Sequence, residues 1–145
     1  MEIVRSIVID RPVDDVFAFV ADPSNDPRWC PKVLSVSQVA GNGPGPGGQW
    51  RVTHRPVPVR PAREMSYECV SWDPPRRIEW REGDGDDVIE VTYELEDAGE
   101  GSTRLTQRDE VRLGAPRLLQ PLFKGGIGRD LDRQLRELKR LLEHR

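Results

Sequence analysis

The stretch that most constrains this chain is its end, residues 117–145, RLLQPLFKGGIGRDLDRQLRELKRLLEHR. Apolar residues fall at Ile127, Leu131, Leu135, Leu138 and Leu142, in steps of four, four, three and four. That spacing predicts one face of an α-helix over 127–143, with Leu141 widening the stripe. The other face carries Arg129, Asp130, Asp132, Arg133, Arg136, Glu137, Lys139, Arg140 and Glu143, so ion pairs Asp132–Arg136 and Asp130–Arg133 are expected along it. At 1.5 Å per residue such a helix is roughly 25 Å long. A stripe of that length needs a broad apolar partner. A coiled-coil or dimer helix is the competing solution, but the heptad pattern stops after two or three turns.

The rest of the chain reads as the sheet that supplies this partner. Residues 2–10, EIVRSIVID, are β-branched and extended, with Ile3, Ile7 and Ile9 on one face and Val4 and Val8 on the other. Pro12, followed by Asp14 and Asp15, opens a first helix whose apolar face is Val13, Val16, Phe17 and Val20, and Asp22-Pro23 ends it. A second short helix is expected over 24–29 with Ser24 as its cap. Six further strands are expected at 33–39, 49–54, 64–72, 77–82, 88–96 and 103–111, separated by Gly, Pro and Asp turns. The Pro-rich segment 55–63 suits a bulged edge or a connection. Strand, two helices, six strands and a long helix contain no βαβ alternation. The predicted class is therefore α+β, an antiparallel sheet with the long helix on one face, in a single domain spanning 1–145.

Alternation assigns the inward faces. Trp50, Val52 and His54 are in phase; so are Met65, Tyr67 and Cys69; so are Ile78 and Trp80. Ile89, Val91, Tyr93 and Leu95 form a further set, and Leu105, Gln107, Asp109 and Val111 another. Tyr, Trp, His, Gln and Asp among aliphatics suit a pocket with a few placed polar groups. Each alone could instead bond to backbone or sit near water at a strand end.

Several function classes are excluded by composition and motif. Charged residues are 32% of the chain, the formal net charge is -3 and the pI is near 5.5, with no basic patch suited to nucleic acid. No apolar run approaches a membrane span, and the first residues do not read as a signal peptide, so a cytoplasmic location is expected. Cys30 and Cys69 have no CxxC spacing, and no HExxH, Cys/His cluster or acidic Ca²⁺ loop occurs, so neither a metal nor another cofactor is expected. The loop GNGPGPGG at 41–48 lacks the Lys-Ser/Thr of a phosphate loop and opens a strand, so it reads as a turn or as a lip at a cavity mouth.

The opening IVIDRPVDDVFAFVADPSNDPRWCPKV, the turn and strand VSWDPPRRIEWRE, the pair VTYELEDAGEGSTRLTQRDEV and the terminal DLDRQLRELKRLLE together resemble the START/Bet v 1-like helix-grip superfamily (SRPBCC). Within it they are most similar to the bacterial polyketide cyclase/dehydrase and lipid-transport group. The resemblance implies a seven-stranded antiparallel sheet curled around the C-terminal helix, two short helices in a V, and an apolar cavity between them. It spans almost the whole chain. One departure is Asp26, where relatives often carry an aromatic or apolar residue before Pro-Arg-Trp.

The candidate site residues follow from the inward faces. A ligand is expected against Trp50, His54, Tyr67, Trp80, Tyr93, Gln107 and Asp109 on the sheet, and against Phe123, Ile127 and Leu131 on the helix. Asp109 with Tyr67, Tyr93 or Gln107 forms an acid–base set, since desolvation would raise a carboxylate's pKa there; the alternative is pairing of Asp109 with an Arg. His54 could titrate inside the pocket or stand wet at its strand end. Cys69 with His54 has the residue types of a nucleophile and base but no oxyanion-hole signature. The catalytic candidates are thus Asp109, Tyr67 and His54. Gly125, Gly126 and Gly128 either break a short leading helix from the main one, the preferred reading, or thin the helix where a ligand lies.

The leading expectation is binding of a hydrophobic small molecule, a polyketide, aromatic or lipid-like compound. The alternatives are a cofactor-independent cyclase, aromatase or dehydratase working in the same cavity, and an interaction module assisting another protein. A monomer or weak homodimer is expected.

Overall fold

The computed structural model describes residues 1–55, 59 and 61–144. The chain runs through β1 (Glu2–Ile9), α1 (Val13–Val20), a 3-10 turn (Pro23–Asn25), α2 (Asp26–Trp29), β2 (Val33–Ala40), β3 (Gln49–His54), β4 (Arg63–Asp73), β5 (Arg77–Gly83), β6 (Val88–Gly99), β7 (Ser102–Arg112) and α3 (Gln120–Glu143). The seven strands form one antiparallel sheet in the order β1-β7-β6-β5-β4-β3-β2. Strands β2 to β7 pair with their sequence neighbours, while β1 closes onto β7 at the far edge. The two helices between β1 and β2 carry the chain from one edge of the sheet to the other. This is the arrangement that the resemblance implies.

Alternation decides what faces inward. Ile3, Ile9, Trp50, Val52, Met65, Tyr67, Cys69, Ile78, Trp80, Val91, Tyr93, Leu95, Leu105 and Val111 are all buried, with Leu131, Leu135, Leu138 and Leu142 of α3 in the same core. Ile127 packs against that core but is only partly buried. Each fully buried Leu contributes about 2 kcal/mol by removing apolar area from water. The V of α1 and α2 adds Val16, Phe17, Phe19, Val20 and Trp29.

Three local expectations are corrected. The helix starts at Gln120 and runs unbroken through Gly125, Gly126 and Gly128 to Glu143, so the glycines do not separate two helices. Gly128 instead makes room for β1: a Cβ there would lie 2.5 Å from Arg5 Nη2. Arg5 Nε donates to Asp132 Oδ1 at 3.0 Å and Lys32 pairs with Asp130, so these aspartates tie α3 to other elements rather than to Arg136 and Arg133. Ser24 is not a cap; the Asp22 carboxylate accepts from Ser24 N at 3.0 Å and from its hydroxyl at 2.7 Å. The 41–48 loop is a turn between β2 and β3, as read, and its Gly48 backbone lies on the Trp50 ring, where a Cβ would come within 2.5 Å. Of the Pro-rich connection, Pro56, Val57, Pro58 and Arg60 lie outside the described residues.

Candidate functional site

Strand register brings the inward polar residues into neighbouring rows. Tyr67 of β4 stands opposite Glu82 of β5; Trp80 stands between Cys69 and Val91; Val91 in turn faces Asp109; and Tyr93 stands between Ile78 and Gln107. Asp26, the first residue of α2, enters the same space from the V. A small cavity of about 10 Å³ lies between Val20, Pro23, Asp26, Tyr67, Trp80, Glu82 and Tyr93. That is room for roughly one water. Aromatic rings fill the rest. Trp50 meets Trp80 edge to face at 5.3 Å, and Trp29 meets Tyr93 at 6.3 Å. A larger hollow of about 450 Å³ on the outside, by Arg11, Asp15, Phe19 and Asn25, is shallow and lies away from these groups.

The electrostatics of the cavity are one-sided. Burial pushes the Glu82 carboxyl well above the usual carboxylate range, the charges of Asp109 and Asp26 push it further, and the Tyr67 hydroxyl, donating to it, pulls it partly back. Burial likewise raises Asp26, with Asp22 adding to the effect and the Trp29 indole opposing it. The Trp29 Nε1 atom nonetheless has no hydrogen-bond partner within bonding distance. Burial raises Asp109 to about 6, against a hydrogen bond from Gln107 Nε2 at 3.1 Å that favours the ionised form. No Arg pairs with Asp109 among the described residues. Tyr67, Tyr93 and Cys30 are also raised, first by burial and then by these carboxylates.

Carboxyls in a desolvated site that feel each other's charge are costly to ionise together, so the upward shifts of Glu82 and Asp26 favour the protonated form. A protonated carboxyl is an O–H donor, and so is a tyrosine. The cavity therefore sets tyrosine hydroxyls beside carboxyls whose protonated form is favoured, within a wall that includes aromatic rings. Among the described residues no group of three or more His, Cys, Asp or Glu is placed to hold a metal ion.

The predicted residues divide in two. Tyr67, Trp80 and Tyr93 line the cavity; Gln107 and Asp109 stand on adjoining rows; and Trp50 packs behind Trp80. His54 stands apart, opposite Val33 and Arg63, with its Nδ1 buried and unpartnered. Burial and then the charges of Arg63 and Lys32 lower its pKa to about 4. It faces neither Asp109 nor Tyr67. Cys69 donates weakly to Ser71 O at 3.6 Å and is not joined to His54. On α3, Leu131 is buried, Ile127 half-buried and Phe123 46% exposed, so Phe123 reaches beyond the covered part of the helix.

Glu82 and Asp26 were not among the predicted residues. The signal for Glu82 was present: the period of two that turns Ile78 and Trp80 inward turns Glu82 inward as well. For Asp26 the signal was its departure from the relatives' pattern.

Residues 1–143 match the family model described as polyketide cyclase / dehydrase and lipid transport. A comparison with curated protein sequences found no match. Among solved structures, the chain is similar to the Zhui aromatase/cyclase from Streptomyces sp. R1128, with TM-score 0.81 and 15% identity over 100% of this chain and 94% of that one. It is similar to a START superfamily protein from Mycobacterium smegmatis, with TM-score 0.80 and 17% identity over 99% of this chain and 97% of that one. It is also similar to the TTHA0849 protein from Thermus thermophilus, with TM-score 0.77 and 20% identity over 97% of this chain and 95% of that one. At these identities the likeness establishes the helix-grip fold.

Proposed function

The chain belongs to the polyketide cyclase / dehydrase and lipid transport family, and from that premise we propose that it binds a hydrophobic small molecule bearing a carbonyl or hydroxyl oxygen. A polyketide, an aromatic compound or a lipid-like molecule would meet that description. The observation that supports this reading best is the gathering of the Glu82 and Asp26 carboxyls and the Tyr67 and Tyr93 hydroxyls around one cavity beside Trp80. An apolar body would lie against Trp50, Trp80, Ile127 and Leu131, and its oxygen would accept from the carboxyl and phenol hydroxyls. A site for one water must widen to admit such a molecule. The first turns of α3, with Phe123 half out of the core and Gly126 open, are lightly packed and could shift to make that room.

Titration with phenylnaphthylamine, a neutral fluorescent apolar probe, followed by displacement with an aromatic ketone and with its hydrocarbon analogue, tests the reading. The wild type should bind the probe, and the ketone should displace it more effectively than the hydrocarbon. Tyr67→Phe should reduce that preference by about 0.5–1.5 kcal/mol, one neutral hydrogen bond. Trp80→Arg should remove probe binding, with circular dichroism checking that the variant is folded, and Tyr67→Phe serves as the milder variant if it is not. Equal probe binding by wild type and Trp80→Arg would place the site elsewhere.

A second reading is favoured by the different surroundings of two carboxyls. The Asp109 pKa is raised to about 6, while Glu82 is pushed toward its protonated form by burial and then by the charges of Asp109 and Asp26. Such a split suits a cyclase, aromatase or dehydratase in which Asp109 takes a proton from the carbon beside a carbonyl and Glu82 gives one to the oxygen. On this reading Asp109→Asn keeps binding but lowers turnover of a linear poly-β-ketone by about a hundredfold or more. An undiminished rate in that variant excludes Asp109 as the base.

A further inference from the structure

The start of α3 carries a surface that neither the cavity nor the core uses. Leu118 is 91% exposed, Leu122 75%, Phe123 46% and Leu119 45%. Leu118 and Leu119 lie in the turn that leads into α3, and Leu122 and Phe123 follow on its first turn. The cause lies in the helix's length. The stripe that buries Leu142, Leu138, Leu135 and Leu131 against the core continues to Ile127 and Phe123, but the protein covering it ends near Ile127.

Charge sets this patch apart as strongly as exposure does. From Arg112 to Arg129 the chain has four basic residues and no acidic one, while the whole chain has a net charge of -3. Arg112 pairs with Glu90, but Arg117, Lys124 and Arg129 are in no ion pair among the described residues. The first turn of α3 has no acidic residue either. Acidic groups beside the patch are already engaged: Asp87 Oδ1 accepts from Gly114 N, Arg63 holds Asp84 and Asp87, and Asp130 and Asp132 pair with Lys32 and Arg5.

We propose that this patch docks on the surface of an anionic lipid bilayer, Leu118, Leu122 and Phe123 entering the acyl boundary while Arg117, Lys124 and Arg129 meet lipid phosphates. Apolar side chains flanked by unpaired cations are the pattern of interfacial helices. A second copy of this chain fits less well, because a two-fold contact through the patch would bring the same unpaired cations face to face. The docking does not depend on what the cavity binds.

Sedimentation of the full chain with vesicles is the test, comparing phosphatidylcholine alone with equal parts phosphatidylcholine and phosphatidylglycerol. The wild type should pellet with the anionic vesicles only, and added salt should release it. Each of Arg117→Glu and Lys124→Glu should weaken binding by at least about fivefold. A Leu118→Glu, Leu122→Glu variant should stay in the supernatant; both positions are exposed, and circular dichroism checks that it is folded. No pelleting, or equal pelleting with both vesicle types, overturns the proposal. So does a lipid-free dimer in light scattering that this double variant converts to monomer, since the patch would then belong to a second copy. A failure of probe binding in the cavity leaves all of these outcomes unchanged.

Discussion

Burial raises both Asp109 and Glu82, with neighbouring charges acting on Glu82 besides, and the effect at Asp109 can be measured. Asp109 is raised mainly by desolvation and is held near 6, while Glu82 also faces the charges of Asp109 and Asp26. A carboxyl whose folded pKa lies above its unfolded value of 3.8 adds stability that is fully present below about pH 4 and lost as pH rises through 6. The span from about 4 to about 6 is worth about 3 kcal/mol. Asp109→Asn should therefore stabilise the protein by up to about that amount at pH 8, and the two stability curves should converge near pH 4. Asn can still accept from Gln107 Nε2, so the substitution removes charge and little else. Urea unfolding at several pH values decides it: parallel curves would mean that Asp109 is not desolvated. Sequence alternation identified Asp109 because it sits mid-strand among Leu105, Gln107 and Val111. The inward set read from β5 stopped at Ile78 and Trp80 and did not take in Glu82 at the strand's end. Whether such an end is covered depends on α2, and a strand's own period carries no information about that.

At the scale of elements, α3 is where the sequence was most legible and where its reading erred most usefully. The period of Leu131, Leu135, Leu138 and Leu142 is a property of the helix alone, so it could be read directly. The ion pairs could not, because Asp130 and Asp132 choose Lys32 and Arg5, which lie about a hundred residues away in sequence. The glycines illustrate the same point. Gly costs about 1 kcal/mol in a helix relative to Ala, which argues for a break if nothing else touches it. A Cβ on Gly126 would meet nothing within 4 Å, whereas one on Gly128 would meet the Arg5 guanidinium at 2.5 Å. Gly126→Ala should thus raise stability by about 1 kcal/mol. Gly128→Ala should gain little or nothing, because Arg5 must leave Asp132, a half-exposed pair worth up to about 1 kcal/mol. Equal gains in urea midpoint for both variants would show that Arg5 does not depend on Gly128.

For the molecule as a whole, order and spacing of elements determined the architecture: strands that pair with their chain neighbours leave few topologies, and the long stripe needs the face they form. The size of the cavity was not legible, because it depends on how Trp50, Trp80, Trp29 and Tyr93 divide the volume, and alternation gives direction but not volume. The core is continuous from β1 through the sheet to α3, so the helix should not be removable without the rest. Leu135 is 2% exposed in that core. Leu135→Ala should cost about 2–5 kcal/mol, leaving a weakened but cooperative fold if the total is in the ordinary range of about 5–15. Leu135→Asp removes the same contacts and also puts a carboxyl with no cationic partner into an interior that already holds Asp26, Glu82 and Asp109. Protonating it avoids the charge but leaves a polar group unpaired, so either state is unfavourable. The expected result is loss of the cooperative calorimetric transition and of the near-ultraviolet circular dichroism of the buried tryptophans, with much of the far-ultraviolet signal kept. A cooperative melt unchanged from the parent would mean that α3 packs somewhere other than the sheet.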